Sequence, residues 1–228
     1  MEKQELKHFE NIELRTFGRR HGKKLSPRKL RLIENLLPKI APDSAEYGEK
    51  SVILEIGFGN GEHVCDLAIS APDSIIIGAE PFMNGVAALL STITNESDDI
   101  IFQEYKNIRI HPDDVRLLLK QPDFENVKFS QIWILHPDPW PKAKHEKRRL
   151  LNYEFLNLLS KFLSPDGQII IGTDHWEYYD WIVDQLQKTT LKIKSTQMPT
   201  IKTRYQIKNK AGTTETKYLI LQKELQFI

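Results

Sequence analysis

The chain has 228 residues, of which 40% are apolar and 28% are charged, so the sequence favours one globular domain with a terminal extension and excludes disorder as the global state. The 32 lysines and arginines nearly balance the 31 aspartates and glutamates, so the net charge by itself indicates no polyanionic partner. Cys65 is the single cysteine, which excludes an internal disulfide scaffold and a cysteine-based zinc cluster.

Residues 1–40 are predicted to form a basic N-terminal arm. Met1–Glu5 lacks the apolar stretch of a signal peptide, and no run in the chain approaches the roughly 18–20 apolar residues that span a bilayer. We therefore expect a soluble, cytoplasmic protein with no membrane partner. Residues 41–45, Ala-Pro-Asp-Ser-Ala, indicate a linker to a domain over residues 41–228. The cations of the arm suit a nucleic-acid backbone, although an ordinary disordered basic tail has the same composition: Arg19, Arg20, Lys23, Lys24, Arg28, Lys29 and Arg31.

After the linker, short apolar runs alternate with helical patterns. Strands are predicted at Ser51–Ile56, Ser74–Ala79, Ile108–His111, Gln131–Leu135, Gln168–Gly172, Leu191–Ser195 and Lys217–Gln222, and helices at Glu62–Ser70, Phe82–Thr94, Val115–Lys120, Leu150–Leu163 and Trp176–Gln187. Continuously apolar strands that alternate with helices indicate a parallel sheet covered on both faces. The last two strands have only a loop between them, which predicts an antiparallel addition. The expected fold is a doubly wound α/β sheet.

A glycine turn follows the first strand and opens the first helix of the domain, with the sequence Glu55-Ile56-Gly57-Phe58-Gly59-Asn60-Gly61. Glycines allow a tight turn and close approach of a ligand to the backbone. The spacing is not the dinucleotide pattern G-x-G-x-x-G, because Glu62 stands where the last glycine would be. Glu55 would also repel a phosphate. The turn therefore favours a ligand with cationic and hydroxyl groups, such as S-adenosylmethionine.

Acidic residues follow the next two strands as well. Glu80 ends the second strand, at the distance along the chain typical of a ribose-binding acid, and Asp113 and Asp114 follow the third, within reach of an adenine amino group. Since ligands bind beyond the carboxyl ends of strands in open α/β sheets, these acids indicate a nucleoside cofactor. The alternative is that they are solvated acids at strand ends, and Asp113 and Asp114 cannot be told apart from the sequence.

The fourth strand leads into a loop with three prolines, His136-Pro137-Asp138-Pro139-Trp140-Pro141-Lys142. Prolines make the loop rigid, so Asp138 and Lys142 are expected in fixed positions over the cofactor cleft. The basic run Lys142–Arg149 follows directly and suits a polyanion that presents a base there, or else is a solvated charge run. Trp140 is a candidate for contact with a base, whereas Trp133 is expected in the core.

These motifs together resemble the bacterial tRNA (guanine-N7-)-methyltransferase family. The resemblance covers nearly the whole chain from about Arg15, and the P-D-P-W-P-K loop is its specific signature. It is carried by Arg15–Gly22, Glu55–Gly61, Pro81–Ala87, Pro137–Lys142 with Lys147-Arg148-Arg149, Gly172-Thr173-Asp174 and Thr203-Arg204-Tyr205. It implies a Rossmann-like seven-stranded methyltransferase sheet with an antiparallel terminal strand, S-adenosyl-L-methionine as cofactor, and a guanosine in the tRNA variable loop as target.

The resemblance also implies roles for individual residues. Glu55, Gly57, Gly59, Gly61, Glu80, Asp113 and Asp138 match the cofactor site; Lys142, Asp174, Thr203, Arg204, Tyr205 and Gln206 match substrate contacts. Gln206 departs from the family, which has an acid there, and His136 stands where Phe is common. Asp138 matches the catalytic residue. Because guanine N7 carries an unprotonated lone pair, the reaction needs no general base, and the Asp138 carboxylate is expected to stabilise the developing purine cation and to orient guanine.

Three other functions stay open from the sequence: a nicotinamide-dependent oxidoreductase, a methyltransferase for another RNA, and an RNA-binding protein with a degenerate methyltransferase fold. The glycine spacing argues against the first, and Gln206 leaves the last open. His63 and His175 have no companions with metal-ligand spacing, so no metal is expected. The sequence is compatible with a monomer or a homodimer.

Overall fold

Seven strands form one mixed sheet in the computed structural model of the chain, which describes residues 17–18, 20–95, 97, 101–197 and 215–224. The strands are β1 Val52–Ile56, β2 Ile75–Ala79, β3 Ile108–His111, β4 Phe129–Leu135, β5 Leu163–Thr173, β6 Leu191–Ser195 and β7 Lys217–Lys223. Their order across the sheet is β3-β2-β1-β4-β5-β7-β6. Strands β1 to β5 are parallel, and β7 is antiparallel to both β5 and β6.

Helices cover both faces of this sheet, as the alternating pattern of the sequence predicts. They are α1 Pro27–Asn35, α2 Glu62–Ser70, α3 Met83–Ile93, α4 Val115–Leu119, α5 Tyr153–Phe162 and α6 Trp176–Leu186. Neighbouring residues of β1 enter different cores: Ile53 packs with side chains of α1 to α3, and Leu54 with side chains of α4 to α6. The doubly wound fold is thereby confirmed. No helix within the described residues has the length and apolar character needed to cross a bilayer.

Residues 27–40, the last 14 residues of the segment predicted as a basic arm, pack against the sheet. Ser26 caps α1, and its hydroxyl accepts a hydrogen bond from the Lys29 backbone at 3.4 Å. Leu32 is 1% exposed and lies in the core beside α3. The Arg28 guanidinium donates to the Asn95 carbonyl at 3.0 Å. These contacts make α1 part of the globular unit, because its apolar stripe supplies side chains to the core. The sequence prediction rested on the number of basic residues in this segment, which does not reveal that stripe.

The strongest difference from the sequence prediction lies between α5 and β5. Ser164–Gly167 is predicted as a turn that ends the helix, with a strand only from Gln168. In the structure β5 already begins at Leu163, which pairs with Phe129 of β4, and the next pair is Gln131 with Gln168. The four residues Ser164–Gly167 therefore lie opposite one residue of β4. The turn residues are present, but they form an irregularity inside a longer strand.

Candidate active site

A cleft of about 560 Å³ opens at the carboxyl ends of β1, β2 and β4. The chain runs from β1 outward to β3 on one side and then returns to place β4 on the other side of β1, so β1 and β4 flank the switch point of the sheet. Open α/β sheets bind their ligands at such a point, and the volume falls within the roughly 300–1,000 Å³ of small-molecule sites. The β1 and β2 ends contribute Ile56, Gly57, Ala79 and Glu80 to the lining.

The glycine turn forms the floor on the β1 side. Gly57 and Gly59 have φ angles of +76° and +60°, in the left-handed region that favours glycine. A Cβ added at either residue would meet no atom within 4 Å. Gly61 is crowded instead, since its Cβ would lie 2.6 Å from Cδ1 of Leu89 on α3. Of the three glycines only Gly57 lines the cleft; Gly59 has open space at its Cβ position outside the lining, and Gly61 packs against α3.

Glu80 ties this turn to the start of α3. One carboxylate oxygen accepts a hydrogen bond from the Gly59 backbone at 2.8 Å, and the other accepts one from the Phe82 backbone at 2.8 Å. Burial raises the pKa of Glu80; the two backbone hydrogen bonds oppose this, while the negative charges of Glu55 and Asp138 act in the same direction as burial. Glu55 and Asp138 thus each lie close enough to Glu80 to repel it, and a cationic ligand would relieve that repulsion.

Glu55 is buried beneath the turn and does not line the cleft directly. It is 3% exposed, and its Oε2 atom accepts a hydrogen bond from Nδ1 of His63, in the first turn of α2, at 2.9 Å. The sequence alone gives His63 no role, because the residue lacks companions with metal-ligand spacing. The sequence does contain a signal for this pair. Glu55 lies near the end of a strand and His63 near the start of the next helix, eight residues apart, and a glycine turn between strand and helix brings two such positions together.

The structure distinguishes Asp113 from Asp114. Asp114 lines the cleft, but its carboxylate caps α4 and pairs with Arg116 at 2.6 Å. Asp113 lies outside the lining and pairs with Arg20 at 2.7 Å. Burial would raise the pKa of Asp113, but the hydrogen bond from Arg20, the backbone N–H of Asp114 and the charge of Arg20 hold it below its usual value. Asp113 is therefore a rim acid that already has a cationic partner.

The loop after β4 forms the opposite wall and holds Asp138, which is exposed and lines the cleft. His136 and Trp140 have φ angles of +50° and +43°, which cost non-glycine residues about 1–3 kcal/mol each. Two hydrogen bonds hold the loop: the His136 backbone donates to the Gly172 carbonyl at 2.7 Å, and Arg149 Nε donates to the Pro139 carbonyl at 2.9 Å. The predicted rigidity of the Asp138 loop thus has a tertiary cause in addition to its prolines.

The basic run after this loop is divided between structural and exposed cations. Arg149 is 5% exposed, and its guanidinium lies 5.0 Å from the Trp181 ring. The Arg148 guanidinium lies 4.9 Å from the Trp140 ring and 5.3 Å from the Phe17 ring. Lys142, Lys144 and Lys147 are exposed. Interpreting the whole run as a solvated cationic patch is therefore wrong for Arg149, because the arginine packs against aromatic rings.

Asp174 and Lys142, the two predicted substrate residues that the structure describes, do not line the cleft themselves. Asp174 follows β5, is 41% exposed, and its Oδ1 atom lies 3.7 Å from Nδ1 of His136, which lines the cleft. Burial lowers the pKa of His136, and the charge of Asp174 opposes this. Lys142 is exposed and precedes the 3₁₀ helix Ala143–Arg148. Thr203, Arg204, Tyr205 and Gln206 lie outside the described residues.

Part of the N-terminal segment lies on the rim. Phe17 and Gly18 line the cleft, and Asn84 on α3 fixes the following residues by accepting a hydrogen bond from the Gly22 backbone and donating one to the Lys23 carbonyl, both at 2.7 Å. The Met83 backbone also donates to the Arg20 carbonyl at 3.0 Å. In the sequence, Asn84 belongs to a motif of the family but has no evident role. Its role follows from contacts across more than 60 residues of chain.

Comparisons with known proteins agree with this geometry. A family model described as "Putative methyltransferase" matches residues 49–226. The chain is 36% identical over 186 residues to the tRNA (guanine-N(7)-)-methyltransferase of Neorickettsia sennetsu, which covers 82% of this chain and 81% of the relative. It is 39% identical over 184 residues to the tRNA (guanine-N(7)-)-methyltransferase of Paramagnetospirillum magneticum, which covers 75% of this chain and 74% of the relative.

Solved structures share the fold at low sequence identity. An antibiotic-related methyltransferase superposes with a TM-score of 0.53 at 13% identity, covering 89% of this chain and 97% of that one. Human methyltransferase-like protein 13, in complex with SAH, superposes with a TM-score of 0.50 at 15% identity, covering 88% and 83%. At sequence identities this low, the superpositions indicate a shared fold and carry no conclusion about function.

Proposed function

Because the chain belongs to the tRNA (guanine-N7-)-methyltransferase family, we propose that it transfers the methyl group of S-adenosylmethionine to N7 of a guanosine in the variable loop of tRNA, in the cytoplasm. The observation that carries this proposal is the cleft itself. The backbone of Gly57 and the carboxylate of Glu80, which Glu55 and Asp138 repel, lie at the switch point of the sheet, opposite the loop that holds Asp138.

The residues of the cleft fit S-adenosylmethionine, which supplies a methyl group activated by a sulfonium centre. The open space beside Gly57 and Gly59 admits a ligand against the backbone. Glu80 uses both carboxylate oxygens to hold the turn, and each oxygen keeps a lone pair for a ribose hydroxyl. Glu55 provides negative charge for the ammonium at the amino-acid end. Asp113 serves the adenine amino group from the rim, sharing its carboxylate with Arg20.

Asp138 carries the catalytic role in this proposal. Guanine N7 attacks with its own lone pair, so no side chain has to remove a proton. The purine gains positive charge as the methyl group arrives, and a carboxylate held in advance at that place stabilises the charge without reorganising. The two hydrogen bonds that hold the loop fix Asp138 before substrate binds. The same rigidity aligns the base with the methyl donor.

The rim supplies the surface for tRNA. The exposed lysines Lys142, Lys144 and Lys147 lie beside the mouth and suit phosphate groups. Trp140, half-buried beside Arg148, offers a ring for contact with a base. Asp174 and the segment Thr203–Gln206 are proposed to contact the target nucleoside, with the Gln206 amide hydrogen-bonding guanine.

The decisive experiment maps the modified base. The protein is incubated with methyl-labelled S-adenosylmethionine and tRNA that lacks modifications, and the labelled nucleotide is identified by cleavage at 7-methylguanosine. We expect one labelled guanosine in the variable loop. Label at another atom, or only in ribosomal RNA offered in parallel, would contradict the proposal. A tRNA with adenosine at the modified position is the matched control substrate.

A further inference from the structure

Glu55 and His63 form an isolated polar pair beneath the glycine turn. Their side chains are 3% and 6% exposed, and Nδ1 of His63 lies 2.9 Å from Oε2 of Glu55. Within the part of the chain that the structure describes, His63 provides the only side-chain hydrogen bond to Glu55. Burying a carboxylate with so few partners costs free energy, which indicates that a further partner compensates for it when the cleft is occupied.

The ring of His63 is held in one orientation. It packs edge to face on the Trp133 ring, with centroids 4.7 Å apart. Trp133, 3% exposed as the sequence predicts, is itself fixed by a hydrogen bond from its Nε1 to Gln131 at 2.8 Å. Nε2 of His63 is buried and has no partner among the described residues. Since a carboxylate can only accept, Nδ1 donates to Glu55. This hydrogen bond is the one polar contact of the imidazole within the described ranges of the chain.

We propose that His63 is a positioning residue, which holds Glu55 by Oε2 so that Oε1 is kept for the ammonium at the amino-acid end of the cofactor. The inference rests on the proposed function. Glu55 directly precedes Ile56 and Gly57, which line the cleft, whereas His63 lies on α2 away from the lining, so in this arrangement His63 acts on the ligand only through Glu55. The three groups Trp133, His63 and Glu55 form a chain in which each fixes the next, and only the last reaches the cofactor.

Two ligands separate this role from simple packing. S-adenosylhomocysteine carries adenine, ribose and the amino-acid end, whereas 5′-methylthioadenosine carries adenine and ribose alone. Binding of each to the full-length protein is measured by calorimetry for wild type and His63→Phe, which keeps a ring against Trp133 but cannot donate. We expect S-adenosylhomocysteine affinity to fall about 10-fold or more and methylthioadenosine affinity to stay within about 2-fold.

Two further variants control the measurement. Val64→Ala removes a buried side chain next to His63 that has no bond to Glu55, so it lowers the melting temperature without changing the ratio of the two affinities. His63→Asn returns a donor close to the position of Nδ1 and is expected to restore part of the ratio, whereas His63→Gln places its donor farther out and is not. This pair decides the question by itself if the Phe variant does not fold.

The outcomes are distinct. An unchanged affinity ratio in His63→Phe, or equal ratios in the Asn and Gln variants, overturns the positioning role and leaves the proposed function intact. Failure of the wild-type protein to bind S-adenosylhomocysteine overturns both. A selective loss with rescue by Asn establishes that His63 acts through Glu55.

Discussion

One wall of the cleft, the glycine turn over residues 57–61, takes left-handed backbone conformations at glycines, whereas the loop over residues 136–142 takes them at His136 and Trp140. The glycine wall needs little support, because its residues adopt these angles at little cost. The loop wall is strained and is held by Arg149 and by the Gly172 carbonyl. The turn proposed to bind the cofactor can thus be specified locally, while the loop proposed to be catalytic depends on Arg149, ten residues from Pro139, and on Gly172, 36 residues from His136. Five predictions test this contrast.

The largest effect is expected at Asp138 on the loop wall. Asp138→Ala removes the carboxylate proposed to face the developing purine charge, and single-turnover methyl transfer at saturating cofactor should slow by about 10²–10³-fold. Glu125→Ala, which removes an exposed acid outside the cleft lining, is the matched control and should stay near the wild-type rate. A rate within a few-fold of wild type for Asp138→Ala would remove the catalytic assignment.

Loss of Arg149 should release the loop wall. Arg149→Met leaves the Pro139 carbonyl without its donor and removes a buried guanidinium from Trp181, so the free energy of unfolding should fall by about 2–3 kcal/mol. Urea denaturation measures it. The adjacent Arg148→Met, at a less buried site, should cost clearly less. Equal losses in the two variants would mean that Arg149 has no special part in holding the loop.

The glycine wall should respond to a single methyl group. Gly59→Ala imposes a φ of +60° on an alanine and places a Cβ in the space proposed for the cofactor. We expect a loss of about 1–2 kcal/mol in stability together with weaker S-adenosylhomocysteine binding. Gly48→Ala, which imposes a φ of +55° at a position with open space outside the cleft lining, controls for the backbone strain itself. Unimpaired ligand binding in Gly59→Ala would place the cofactor elsewhere.

The exposed lysines beside the loop should set the salt dependence of tRNA binding. Lys144→Gln with Lys147→Gln should weaken binding several-fold and reduce the slope of log K against log salt by about one for each phosphate that is no longer neutralised. The control is a second double variant, Lys192→Gln with Lys194→Gln on the edge strand β6. It removes the same charge from exposed positions on a distant part of the sheet. Identical slopes for the two double variants would exclude the rim as the phosphate-binding surface.

The smallest effect concerns pH and His136. Burial lowers the pKa of His136 in the folded protein, so the unfolded chain binds the proton more readily and stability falls as pH drops from about 6.5 through the folded value. His136→Asn removes this titration and tolerates the positive φ. Its stability should therefore decline less than that of wild type between pH 7 and pH 5. Parallel declines would show that another group titrates there.

Much of the fold was predictable because its signals are local. The helix Glu62–Ser70 and the strands Ile108–His111 and Leu191–Ser195 match the sequence prediction residue for residue, since apolar periodicity and turn residues mark their limits. The prediction for Leu150–Leu163 is less accurate, because the side chain of Asn152 caps the helix and delays its start to Tyr153. The longer β5 depends on pairing with β4, which no local pattern reports.

The amino-acid sequence by itself determined the order of the strands and helices after residue 50, the glycine turn and the family, because these depend on residue type and on spacing along the chain. Only the tertiary structure decided that Asp114 lines the cleft while Asp113 pairs with Arg20, that His63 holds Glu55, and that Arg149 is buried. Each of these depends on which way a side chain points and on what distant segment meets it. Such directions are set by packing, where the free energy of burying a group depends on neighbours that the local sequence does not contain.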